Sequence, residues 1–307
     1  MTPLAPGLDY IDLNFLGRPQ IIATAILQNS SGVALVDPGP STTLTGLVDT
    51  LKRQGIGVRD IRQVLLTHIH LDHAGATGSL LKENPAIDVF VHERGARHLI
   101  DPSKLMASAG RLYGEDMDRL WGEMLPVPAS RVRALHGDER VTAGGRDLEV
   151  AYTPGHASHH VSYFDRSSGV AFVGDTAGIR RGSGAYVMPP TPPPDIDLEL
   201  WRQSGDRILA WDPDTLFLTH FGAFRGARPH FQQLFDRLDA WSTLVGRLLA
   251  DASLDDDERS RRFVVEALSE ARRTVGESEA EHYSRAGRLD YSWQGLVRYW
   301  RTKRHAT

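Results

Sequence analysis

The chain has 307 residues, 41% of them hydrophobic and 24% charged, with 39 acidic against 35 basic side chains and a formal net charge of −4. That length buries a sizeable core in one large domain or two, and the charge balance offers no general attraction to nucleic acid or to an anionic membrane surface. The absence of cysteine excludes disulfides and thiolate metal sites, so any metal must be held by nitrogen and oxygen.

Residues 1–17 carry acids and prolines with no basic segment before an apolar stretch, so no signal peptide is expected. No apolar run approaches membrane-spanning length, and the expected location is the cytoplasm. Arginine outnumbers lysine 31 to 4, which reads as codon bias in a GC-rich, bacterial genome. Residues 21–27 and 32–36 read as neighbouring strands joined around Asn29-Ser30-Ser31. Asp37-Pro38-Gly39-Pro40 breaks the second strand, and residues 41–54 read as a helix with Ser41 or Thr42 near its N-cap.

A short buried strand, Val64-Leu65-Leu66, then leads into Thr67-His68-Ile69-His70-Leu71-Asp72-His73-Ala74-Gly75. Imidazoles and carboxylates are costly to bury without partners, so this crowd at a strand end looks like a ligand set. His68 and His70, two apart on extended backbone, point to the same side. Asp72 and His73 fall on the turn into a helix over 74–82, and two ligand groups facing different directions suit two metal ions better than one.

Residues 93–124 read as helical, with Met106, Tyr113, Met117 and Trp121 among charges; spacings of four put the last three on one helix face. Such a face either packs on the rest of the domain or lines a substrate pocket. Three further strand-like runs end in a histidine or an aspartate: 148–152 leads to Thr153-Pro154-Gly155-His156, 170–173 to Gly174-Asp175-Thr176, and 216–218 to Thr219-His220. Pro189-Pro190-Thr191-Pro192-Pro193-Pro194 is a stiff, extended segment. It borders the active site, forms an oligomer contact or acts as a spacer. Beyond Gly222 the pattern turns helical, through Phe231, Leu234, Phe235 and Leu238, then Phe263, Val264 and Leu268, and finally Tyr291 to Trp300. Alternating strands and helices argue for two mixed sheets packed face to face and covered by helices. The division expected is a catalytic domain over 1–225, with a helical insertion at about 93–125, and a helical cap over 226–307.

The run His68-x-His70-x-Asp72-His73, followed in order by His156, Asp175 and His220, resembles the signature of the metallo-β-lactamase-fold hydrolases. The resemblance implies an α/β fold, the metallo-β-lactamase αββα sandwich, here with a C-terminal helical cap like that of the glyoxalase II branch. It implies that His68, His70 and His156 bind a first metal, that Asp72, His73 and His220 bind a second, and that Asp175 bridges them. Asp72 would also be catalytic, helping to shuttle the proton. Asp37 stands in a turn that the family places near the metals, and His160 matches Thr-Pro-Gly-His-x-x-x-His, where it would orient a ligand. The implied cofactors are two divalent ions, zinc first, with manganese or iron as alternatives. A shared hydroxide would attack a polarised carbonyl of a small-molecule ester, thioester or lactone. No nucleic-acid or membrane partner is expected, and a homodimer is left open. The alternative on the same fold is a persulfide-type dioxygenase with a single iron.

The substrate is less legible. Glyoxalase II relatives hold glutathione with a lysine and a tyrosine shortly after the bridging aspartate; Tyr186 stands eleven residues on, but Gly184 occupies the lysine position. Acyl-homoserine lactonases place a tyrosine three residues after that aspartate, where this chain has Gly178. Arg180 and Arg181 could hold a carboxylate or phosphate, or be solvated loop residues.

Overall fold

Both faces of the central strands are apolar, and this is what stacks the molecule in layers. In the computed structural model, which describes residues 1–182, 184 and 186–304, seven strands form a first sheet in chain order. They are β1 (Thr2–Ala5), β2 (Leu8–Asp12), β3 (Ala23–Asn29), β4 (Gly32–Val36), β5 (Ile61–Leu65), β6 (Asp88–His92) and β7 (Val132–Leu135). Pairing is antiparallel from β1 to β4 and parallel from β4 to β7. Each parallel step needs a crossover. These are α1 (Leu44–Arg53), then α2 (Leu71–Ala74) with α3 (Thr77–Glu83), then α4 (Glu93–Ile100), α5 (Ser103–Tyr113) and α6 (Met117–Leu120).

The second sheet holds β8 (Arg140–Ala143), β9 (Arg146–Tyr152), β10 (Val161–Asp165), β11 (Val170–Phe172), β12 (Thr215–Leu218) and β13 (Gly222–Arg225). Only β11 and β12 are parallel, joined by α7 (Leu198–Ala210). The chain ends in α8 (Ala227–Ala250), α9 (Asp256–Val275), α10 (Glu277–Gly287) and α11 (Leu289–Arg304).

Strand alternation divides the core. On β4, Ala34 and Val36 face the second sheet, where Val150, Tyr163, Phe172 and Phe217 meet them. Val33 and Leu35 face the other way, under Leu47, Leu51 and Leu80 of the helices. On the far side, Phe231, Leu234, Phe263, Trp293 and Leu296 of the C-terminal helices share one core with Ala171, Leu216 and Leu218. Burying a side chain of this size contributes about 1.5–3 kcal/mol, so the helices after Gly222 form the outer layer of the second sheet. No helix among the described residues is long and apolar enough to cross a membrane.

Two local expectations are corrected. Ser41 and Thr42 do not cap α1: a 3-10 turn over Ser41–Thr43 precedes it, and their hydroxyls donate instead to the carbonyls of Trp121 and Leu120. Tyr113, Met117 and Trp121 are not on one helix, because α5 ends at Tyr113 and the chain turns through Gly114 at φ +53°. Tyr113 and Trp121 still meet edge to face, with ring centroids 5.1 Å apart. The sequence reading also overlooked β1, β2, β7, β8, β10 and β13.

Candidate metal centre

Five loops at the carboxyl ends of β4, β5, β9, β11 and β12 converge on one edge of the sandwich. They carry Asp37, the His68–His73 run, His156, Asp175 and His220 respectively. All seven ligand candidates are brought together. Three overlapping sets have ligand atoms mutually within 4.8 Å: His68, His70 and His156; His68, His73 and Asp175; Asp72, His73 and His220.

Neighbouring acceptors fix the orientation of the rings. His73 Nδ1 lies 2.8 Å from Asp37 Oδ2, His156 Nδ1 2.9 Å from the Pro190 carbonyl, and His220 Nδ1 2.7 Å from the Ile21 carbonyl. The Thr67 hydroxyl donates to Asp37 and so accepts from His68 Nδ1, 3.1 Å away. Each of these four rings therefore keeps a proton on Nδ1 and turns Nε2 inward. His68 Nε2 and His156 Nε2 then lie 2.9 and 3.0 Å from His70 Nδ1. A proton on His70 Nδ1 can serve one of these two contacts at a time, whereas a cation among the three nitrogens satisfies all of them.

The other half shows the same need. His73 Nε2 and Asp175 Oδ1 stand 3.2 Å apart, both buried, and neither makes an oriented hydrogen bond. Asp175 Oδ2 turns the opposite way, 3.3 Å from His156 Nε2. His220 Nε2 is 3.3 Å from Asp72 Oδ2 and 3.6 Å from Asp175 Oδ1. Nitrogen and carboxylate donors in this arrangement fit a divalent cation.

The electrostatics agree. Burial, then the neighbouring rings, hold His68 well below its usual value, and burial brings His70 down to about 4. Burial would likewise lower His73, but the carboxylates of Asp175, Asp37 and Asp72 outweigh it and raise the ring. Burial would raise Asp175, yet His220, His73 and His156 keep it well below the carboxylate range. Asp72 is held at about 2, since His73 and His220 outweigh its desolvation.

Two supporting residues named from sequence sit beside the ligands. Asp37 accepts from the Thr67 amide, from the hydroxyls of Thr67 and Thr219, and from His73. His160 Nε2 accepts the Asp175 amide at 3.2 Å, and its Nδ1 lies 3.0 Å from Thr153 Oγ1. Tyr186 is a correction. It is fully buried among the C-terminal helices, edge-on to Tyr283 and beneath Arg237, and it does not line the cavity. Arg180 lies over Phe224, and Arg181 holds the Gln20 carbonyl and Glu279, so both are structural clamps. The sequence reading passed over His159, whose ring stacks on His68 with centroids 6.1 Å apart and lies edge-on to His70 at 5.6 Å. Its signal, a second histidine beside His160, was in view.

This edge of histidines on an αββα sandwich has known counterparts. The model of the metallo-beta-lactamase superfamily matches residues 17–220, and the chain belongs to that superfamily. The metallo-beta-lactamase fold-containing protein ST1585 of Sulfurisphaera tokodaii is 27% identical over 221 residues, covering 70% of this chain and 78% of that one. A hydroxyacylglutathione hydrolase of Buchnera aphidicola is 29% identical over 194 residues, 63% of this chain and 58% of the enzyme. The chain thus spans less than two thirds of that enzyme's length. Among solved structures, the metallo-beta-lactamase family protein TTHA1429 of Thermus thermophilus matches 98% of this chain and 95% of its own, with a TM-score of 0.73 at 22% identity. That likeness shows the fold.

Proposed function

We propose that this metal-dependent hydrolase works with two divalent cations, zinc foremost with manganese or iron as alternatives, and cleaves an ester, thioester or lactone. Asp175 carries the reading, because one of its oxygens faces His156 at 3.3 Å and the other faces His73 at 3.2 Å. A single carboxylate serving two histidine sets is what a bridging ligand requires. His68, His70 and His156 would hold the first cation, and Asp72, His73 and His220 the second. When bound, such ions bring the pKa of water towards neutrality and polarise a carbonyl oxygen.

The chain's own residues do the rest. Asp37, Thr67, Pro190 and Ile21 keep the ring nitrogens aimed inward, so the ligand shell needs no reorganisation. His160 holds the turn that presents Asp175 by accepting its amide hydrogen. Asp72, with a side chain 23% exposed on the cavity side, supports a role in handing a proton between substrate and solvent.

Elemental analysis of protein purified without added metal tests the reading. Two equivalents per chain are expected, with Asp175→Ala losing both and His220→Ala mainly one, alongside activity on a panel of esters, thioesters and lactones. A single equivalent of iron, with oxygen uptake on a persulfide, would replace the reading with the mononuclear dioxygenase.

A further inference from the structure

Above the histidines opens a cavity of about 1140 Å³, larger than the ~300–1,000 Å³ usual for small-molecule sites. Its walls have two contrasting characters.

One is apolar. The face of α5 that carries Leu105, Leu112 and Tyr113 lines the space, and none of the helix's eleven residues is buried. An apolar helix face left half-exposed along a concave wall is a surface waiting for an apolar ligand. Tyr291 completes it from α11: its hydroxyl donates to the Leu112 carbonyl at 2.8 Å, and its ring meets Tyr113 edge to face.

The other is cationic. Arg18, Arg94, Arg97 and Lys104 are exposed on the lining, and none makes an ion pair among the described residues. Arg94 donates to the Tyr152 hydroxyl and Arg97 to His98, both neutral acceptors. The lining acids outside the ligand set are engaged already, Glu93 with His136 and Asp195 with Ser158. A chain of net charge −4 therefore places four cations that form no ion pair among the described residues around this one opening, against two lining carboxylates, Glu93 and Asp195, outside the ligand set. Such focusing raises the local concentration of an anion.

From these walls we infer that the substrate is an amphiphilic anion: an ester or thioester joining an apolar acyl arm to a leaving group that carries phosphate or carboxylate charge. The inference rests on the hydrolase reading above. Hydrolysis adds one water across the acyl C–S or C–O bond, hydroxyl to the carbonyl carbon and hydrogen to the departing thiol or alcohol. The apolar arm lies along α5, and the charged leaving group meets the arginines and the lysine.

The test uses the metal-loaded protein and acetyl, hexanoyl and decanoyl thioesters of two thiols, neutral N-acetylcysteamine and phosphate-bearing coenzyme A. Full burial of a methylene is worth about fourfold, so kcat/KM should rise at least about a hundredfold from acetyl to decanoyl. At equal chain length the phosphate-bearing thioester should exceed the neutral one at least about tenfold, a ratio that falls with salt. In the double variant Arg97→Gln, Lys104→Gln the ratio should collapse towards one, and Leu105→Gln should flatten the chain-length dependence. Thioesters cleaved with no preference for chain length or charge would overturn the inference while leaving the hydrolase reading intact. Calorimetry with the uncleavable S-decyl thioether of coenzyme A separates the other case. Its binding more tightly than coenzyme A or S-decyl-N-acetylcysteamine, with no thioester, ester or lactone cleaved, would sink the hydrolase reading and keep the amphiphilic site. Failure of that thioether to bind preferentially would also overturn the inference.

Discussion

Asp37 is a residue whose effect reaches the candidate ligands without its being among them. It is completely buried, and it accepts four hydrogen bonds, one of them from His73. Asp37→Ala should weaken cation binding at the His73 side by about 10–100-fold while every ligand remains. It should also cost about 3 kcal/mol or more, since the donors it satisfied stay buried. Competition against a chromophoric chelator reads the first effect and urea unfolding the second; affinity equal to wild type would remove Asp37 from the site. The seven ligand candidates were legible because all lie just beyond strand ends, four after β5 and one each after β9, β11 and β12, and a strand end is a local property of the chain. Tyr186 was not, because counting residues from Asp175 ignores the reversal at Gly178, where φ is +73°. After that reversal Ile179 pairs with Met188, and Tyr186 is carried into the core. Arg180 and Arg181 failed as anion holders for a related reason: their partners, Phe224 and the Gln20 carbonyl, lie far away in sequence.

Among the elements, α7 holds the Thr153–His156 turn in place. Trp201 Nε1 donates to the Thr176 carbonyl at 2.7 Å, and the Ser204 hydroxyl donates to the Pro154 carbonyl at 2.5 Å. The Trp201 ring also lies edge-on to His156, with centroids 5.6 Å apart. This docking requires Gly155, which sits at φ +135°, where a methyl group would come within 2.3 Å of Trp201 Cα. Gly155→Ala should therefore cost about 3 kcal/mol or more by combined strain and overlap, and it should shift His156. A urea midpoint unchanged from wild type would show that α7 can retreat freely. Periodicity announced most helices correctly but not their joints. The chain breaks between α5 and α6 at Gly114, and α1 starts behind a 3-10 turn whose hydroxyls serve the α6 end instead. Which hydroxyl caps a helix depends on the tertiary partners within its reach, which local sequence does not record.

At the scale of the molecule, folding commits a histidine outside the ligand set to its neutral form. His230 on α8 is 1% exposed, places Nε2 2.7 Å from the Ala177 carbonyl and faces Arg180, and burial brings its pKa from 6.5 to about 4. The unfolded chain then binds more protons than the folded one between those values. The stabilisation is complete above pH 6.5 and is lost as the pH falls towards 4. At pH 5 the loss amounts to about 2 kcal/mol. His230→Gln, which cannot titrate, should narrow the gap between the pH 7 and pH 5 urea midpoints; an undiminished gap would assign the acid sensitivity elsewhere.

The bond from Tyr291 to the Leu112 carbonyl joins stretches 179 residues apart in the chain. Neither stretch supplies a candidate ligand atom, for those come from the loops after β5, β9, β11 and β12. Reactivity and fit are thus encoded in separate parts of the chain. Change in α5 or in the α10–α11 corner can retailor what enters while the reacting centre stays fixed, so the same chemistry can be carried from one substrate to another by altering the roof alone.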